Sequence, residues 1–136
     1  MKRGIRISIS QVVFIAIAIG LIARVISPQF TEASTETKVC GLVKGLDMMR
    51  AQLDLYRVVN GNSLPPTNSF EDFENSITAK TAQYDPFVKA IPVNPFNNLS
   101  NVRFDGEPAG SGKAGWRLDT HSGLFQADND AAYSAL

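Results

Sequence analysis

Residues 7–30, ISISQVVFIAIAIGLIARVISPQF, decide how the rest of the 136-residue chain is read. No charged residue occurs from Ile7 to Ala23, and beyond Arg24 the apolar pattern resumes in Val25 and Ile26. Roughly 20 helical residues, each rising about 1.5 Å, cross the hydrocarbon core of a bilayer, and Ile7 to Ile26 is of that length. Arg24 falls near one end, where its long side chain reaches the headgroups. Lys2, Arg3 and Arg6 on the short flank place the N-terminus in the cytoplasm and the remainder on the far side. A cleaved secretory signal would leave through small residues, whereas this segment runs into Arg24-Val25-Ile26-Ser27-Pro28. A buried core helix would need more surrounding chain than the remainder supplies. The segment predicts a single-pass membrane anchor.

Downstream, Pro28 either kinks a helix or ends it at Ser27, because proline removes a helical hydrogen bond. From residue 29 to residue 60 the pattern is helical again. Val39, Leu42, Leu46, Met49, Leu53 and Tyr56 recur at steps of three and four, which is one apolar stripe. The opposite face carries Lys38, Lys44, Asp47, Arg50, Asp54 and Arg57, with Asp47–Arg50 and Asp54–Arg57 at ion-pair spacing. Gly41 and Gly45 each weaken this helix by about 1 kcal/mol relative to Ala. Asn60-Gly61 supplies a left-handed cap, and Pro65-Pro66 forbid continuation.

The rest reads as a small head. Ser69 caps a short helix with Phe70, Phe73 and Ile77 on its inner face, ending at 82–86. Pro86, Pro92 and Pro95 keep residues 84–98 out of central strands and predict a loop that wraps the core and buries Phe87, Ile91 and Phe96. Alternation over 101–105 and 115–119 predicts two short strands and 124–127 reads as a third, the last two joined as a hairpin through Thr120-His121-Ser122-Gly123. Trp116, Leu118 and Phe125 or Leu124 then face the helix. The expected fold is α+β: a long N-terminal helix, with a membrane-spanning half and an amphipathic half, packed on a small antiparallel sheet of about three strands. The expected organisation is a basic cytoplasmic leader (1–6), a transmembrane helix (7–27), its amphipathic continuation (28–61) and a globular head (62–136) packed on residues 29–60.

Chemistry-bearing patterns are sparse. Lys+Arg and Asp+Glu are 13 each, so the formal net charge is zero and nothing calls for nucleic acid. With Cys40 alone there is no intrachain disulfide or thiolate cluster, and a single His121 does not make a zinc site. His121 with Asp119 reads as a surface turn, and no serine stands in a nucleophile-elbow context; no enzyme is expected. Asp128 and Asp130, with Asn129, Asn97 and Asn98, are weak candidates for calcium, a hard cation that takes oxygen ligands. A solvated polar loop is the plainer reading, and no cofactor is otherwise expected.

The residues also resemble a known family. Residues 7–30 are similar to the N-terminal segment of type IV pilins and type II secretion pseudopilins. In that family a short basic leader ending in Gly precedes Phe-Thr-Leu-Ile-Glu, an apolar run, a Gly and Ile-Pro-Gln-Phe. Gly20 and Pro28-Gln29-Phe30 fall on those positions, which makes Ile7 the first mature residue. The head resembles the major-pseudopilin type. Leu64-Pro65-Pro66-Thr67 looks like its post-helix loop, and residues 84–98 look like its Tyr-x-x-x-(Ile/Leu)-Pro-x-(Asp/Asn)-Pro-Phe stretch. Gly115-Trp116-Arg117-Leu118-Asp119 with Ser122-Gly123-Leu124-Phe125 looks like its Gly-Trp…Thr-Gly-x-Phe hairpin. The signal is atypical in two places: Arg6 stands where the family has Gly, and Gln11 where it has Glu.

The resemblance implies a structural subunit of a pilin-like filament, a type II secretion pseudopilus or type IV pilus, assembling through its apolar N-terminal segment. It implies leader cleavage between Arg6 and Ile7 by a prepilin peptidase, methylation of the new N-terminus, and Gln11, Gly20 and Pro28 as assembly residues. The implied partners are copies of the chain or related pilin-like subunits and an inner-membrane assembly platform. The implied location is the inner membrane, with the head periplasmic or extracellular. In the family the Glu is thought to meet the N-terminal amine of a neighbouring subunit, a charge pair in low dielectric; Gln11 can hydrogen-bond there but cannot neutralise an ammonium. The alternative is a membrane-anchored binding module with a pilin-like head that never polymerises.

Overall fold

The computed structural model describes residues 8–136 and, of these, all side chains but those of residues 18–33. The elements in order are α1 (Ile9–Val59), α2 (Phe70–Thr78), β1 (Val102–Arg103), β2 (Trp116–Leu118), β3 (Phe125–Ala127) and a 3-10 turn at Ala131–Tyr133. By its contacts the chain divides into two units, Met1–Thr37 and Lys38–Leu136. The bounds of α1 enter both, and each unit is taken by itself.

The expected fold is corrected in two respects. Among the described residues no helix is long and apolar enough to cross a membrane. Ile7 and the side chains of residues 18–27, much of the expected span, lie outside the described residues. With the chain divided after Thr37, one long helix that crosses a bilayer and carries the head is not established. The second correction concerns the sheet, which is mixed. β1 runs parallel to β2, pairing Val102 with Trp116 and Arg103 with Arg117. β3 runs antiparallel to β2, pairing Trp116 with Ala127 and Leu118 with Phe125. The reason lies in the connection over residues 104–115. It has the dozen or so residues that a parallel crossover requires, where a tight hairpin would have forced an antiparallel pair.

The second unit has one core. The stripe on α1 supplies Leu42, Leu46, Met49 and Leu53, all buried, and α2 adds Phe73 and Ile77. Trp116, Leu118, Phe125 and Ala127 close it from the sheet. Fully burying such side chains contributes roughly 1.5–3 kcal/mol each. Trp116 is central: it is 0% exposed, stacks on Phe125 at 5.5 Å, and donates its indole N–H to the Pro92 carbonyl at 2.7 Å. A glycine inside α1 makes room for it, since a Cβ on Gly45 would stand 3.1 Å from the indole Cη2.

Ser69 caps α2, its Oγ accepting the Asp72 N–H at 3.0 Å. The helix ends at Thr78, earlier than expected, and the chain after it is extended at Ala79. Residues 79–101 wrap the core; Ile91 is buried, whereas Phe87 and Phe96 are half-buried. Phe87 meets Tyr56, and Phe96 stacks on Tyr133. Asn94 fastens this loop. Its buried Nδ2 donates to the Gly115 carbonyl at 2.8 Å and to Asn129 Oδ1 at 2.9 Å, while its Oδ1 accepts the Phe96 N–H. Val102 and Phe104, two apart in extended chain, share a side; both reach the core, Phe104 against the Phe73 ring.

Candidate assembly surface

The first unit opens with a cap. The Ser8 N–H donates to Gln11 Oε1 at 3.1 Å, and the N–H groups of Gln11 and Val12 donate to the Ser8 carbonyl. The Ser8 and Ser10 hydroxyls share a hydrogen bond of 2.9 Å. Ser8-Ile9-Ser10-Gln11 is thus the Gln half of a capping box, a side chain reaching back to a helix-start N–H that has no partner within the helix. The Oε1 of Gln11, one of the expected assembly residues, thus accepts within its own chain, while the side chain stays exposed.

The stretch after this cap is apolar and uncovered. Ile9, Val12, Val13, Phe14, Ile15 and Ile17 are all more than half exposed, Ile9 at 85% and Phe14 at 80%. At 3.6 residues per turn, Ile9, Val13 and Ile17 lie along one side, Val12 and Ile15 along another, and Phe14 between them on the far side. A helix apolar on nearly every side is found inside a large core or a membrane. A continuous apolar surface in water marks an interaction or membrane site.

Arg6 and Ile7, the expected cleavage pair, lie outside the described residues. Gly20 and Pro28 fall within the bounds of α1, among residues 18–33 whose side chains are not described. Of the expected assembly residues, only Gln11 has a described side chain.

In the second unit the polar chemistry gathers on Asp128, which follows β3 directly and is 0% exposed. Its Oδ1 accepts the N–H groups of Gly110 and Ser111 and an Arg103 Nη2–H at 2.7 Å. Its Oδ2 accepts Arg103 Nε–H, the Ser111 hydroxyl and the Ala114 N–H. Burial alone would raise this carboxyl, but Arg103 and Ser111 outweigh it and hold the group below the usual carboxylate range. Arg103 is raised in turn, chiefly by its bond to Asp128. The same guanidinium also meets Asp105 and the carbonyls of Glu107 and Pro108. Oxygen acceptors thus surround an internal cation, and that cation fixes the crossover loop over the outer face of the sheet. Arg117 reinforces it, donating to the Glu107 carbonyl and to Gln126 Oε1.

The two weak calcium candidates each hold other groups of the chain. Asp128 is saturated by donors, and Asp130 Oδ1 caps the 3-10 turn through the Ala132 N–H at 2.8 Å. Among the described residues no group of three or more His, Cys, Asp or Glu is placed to hold a metal. His121 sits in the β2–β3 turn, where its backbone N–H donates to Asp119 Oδ1. That bond comes first among those holding the Asp119 carboxyl below its ordinary value.

Sequence reading missed Arg103, whose only signal was a charge inside an otherwise alternating strand run. It also misjudged Arg50, which turns from Asp47 to the Phe125 carbonyl and the main-chain oxygen of Leu136. Comparison of the chain with protein-family models, curated proteins and solved structures returns no match.

Proposed function

We propose that this chain is the structural subunit of a pilin-like filament, held in the inner membrane by residues 7–26 before assembly, with its N-terminus cytoplasmic and its head outside. The observation that carries the reading is the uncovered apolar surface of residues 9–17. In water such a surface associates; in a bilayer it is already solvated by lipid, and transfer into a filament exchanges lipid contacts for those of neighbouring copies. The mechanism is assembly and not catalysis. The resemblance of residues 7–30 and of the hairpin around Trp116 to pilins and pseudopilins supports the same reading, with a prepilin peptidase and an assembly platform as partners.

Val13→Asp tests it. A carboxylate within the span costs up to roughly 2.5–3.5 kcal/mol, the value at the centre of a membrane helix, so the variant is expected to be depleted from the membrane fraction and from filaments, while Lys2→Gln is not. Normal incorporation of Val13→Asp would sink the proposal.

The capping role of Gln11 favours a second reading, a membrane-anchored binding module that does not polymerise. The Oε1 of that amide already accepts from its own Ser8 N–H, which leaves less of it for a neighbour. Intact-protein mass separates the two: a start at Ile7 supports the filament route, and a retained Met1 supports the anchored module.

A further inference from the structure

In the second unit the end of α1 keeps only half of a glycine cap. The Asn62 N–H donates to the Arg57 carbonyl at 2.6 Å, but the companion bond of that motif, from the Gly61 N–H, is not made. Among the described residues the Gly61 N–H has no acceptor. Gly61 has φ +64°, and apart from its chain neighbours no atom lies within 4 Å of the place a Cβ would occupy. Asn60, directly before it, is exposed. Its Nδ2 donates to the Tyr56 carbonyl at 2.9 Å, a bond at the surface that water can replace. An exposed side-chain amide thus precedes a main-chain nitrogen that is neither bonded nor shielded.

We propose that Asn60 is a modification site, deamidated spontaneously in the folded protein. The Gly61 nitrogen attacks the side-chain carbonyl carbon of Asn60, and the new N–C bond closes a succinimide ring. Nδ2 leaves as ammonia, taking up the proton that the Gly61 nitrogen gives up. One water then opens the ring at either carbonyl, leaving aspartate or, with the main chain rerouted through Cγ, isoaspartate. Glycine obstructs this attack least, because no Cβ stands beside its nitrogen. The other asparagines followed by a small residue are Asn62, Asn68 and Asn75, each preceding a serine. The fold holds two of those amides: the Ser63 N–H donates to the Asn60 carbonyl at 3.3 Å, and Ser76 lies within α2, in the helical ladder. The Ser69 N–H after Asn68 makes no bond among the described residues, but Ser69 carries a side chain. Either product places a carboxylate at the C-terminal end of α1, where the helix dipole disfavours negative charge. Isoaspartate also adds a methylene to the main chain inside the turn that the Asn62–Arg57 bond closes. Conversion therefore loosens the end of α1. The inference is independent of the filament reading.

The test incubates the full-length protein in detergent, in ¹⁸O-water buffers of neutral and mildly alkaline pH, both folded and in guanidinium. The water that opens the ring labels each converted site, so conversion during the incubation is separated from any that came before. Peptide mass spectrometry reads labelled acid at Asn60, Asn62, Asn68 and Asn75, and labelling by an isoaspartyl methyltransferase reports the rerouted main chain. In the folded protein Asn60 is expected to convert at least about tenfold faster than each of the other three, a barrier difference of about 1.4 kcal/mol. Its rate is expected to rise with pH, because the nitrogen attacks after losing its proton. Unfolding is expected to accelerate Asn75, whose following amide is released from α2, and to change Asn60 by less than the same factor. A folded-state rate at Asn60 below that margin over Asn68, or a larger acceleration of Asn60 on unfolding, overturns the inference.

Discussion

Asp128 shows how much one buried carboxylate can organise. It is fully buried, and the Arg103 side chain is 9% exposed, so removing the charge leaves a desolvated guanidinium with only the partly exposed Asp105 as counter-ion. Breaking a buried pair costs about 3–5 kcal/mol when nothing replaces the lost partner, which is an upper bound here because Asp105 remains. Asp128→Asn is therefore expected to lower the unfolding free energy of the head, by no more than about that much, in a denaturant titration of the full chain in detergent. The depressed carboxyl of Asp128 also sets a pH dependence. A group whose folded value lies below its unfolded one, about 3.9 for Asp, contributes stability that is fully present above that value and lost as pH falls through the folded value. Stability is expected to drop below about pH 4 in the parent chain, and less so in Asp128→Asn. Because Arg103 already sits among the oxygens of Asp128, Asp105, Glu107 and Pro108, a chelator is expected to leave the unfolding midpoint unchanged. A midpoint that falls on adding EDTA would contradict this role of Arg103. None of this was legible in the sequence: Arg103 and Asp128 stand 25 residues apart, and no local spacing links an arginine to an acid at that range.

At the scale of elements, the legible part rested on local chemistry. Alternation placed β1 and β2, and Ser69 placed the start of α2, because each signal acts within a few residues. Strand direction could not be read that way. Whether β1 runs with or against β2 depends on where residues 104–115 are held, and their anchor is Asp128, beyond β3. Helix–sheet packing yields a prediction at this scale. Gly45→Ala would gain about 1 kcal/mol of helix propensity, but the new Cβ meets an indole 3.1 Å away that is fixed by Pro92 and Phe125. Overpacking of that kind costs typically 1–3 kcal/mol. The variant is expected to be net destabilised, by about 1 kcal/mol in the same titration; a stabilised Gly45→Ala would show that the indole yields.

For the molecule as a whole, the apolar segment was the plainest feature of the sequence and remains the basis of the functional reading. A filament holds its subunits at a local concentration that would endanger many β-containing proteins, because an open strand edge invites a neighbour's strand. Here the sheet ends on β1 and β3, of 2 and 3 residues. The outer carbonyl of Phe125 on β3 is already taken by Arg50. Edges this short and partly occupied offer almost no template for adding strands, so copies can be crowded together without sliding toward cross-β aggregation, and contact between them is left to side chains.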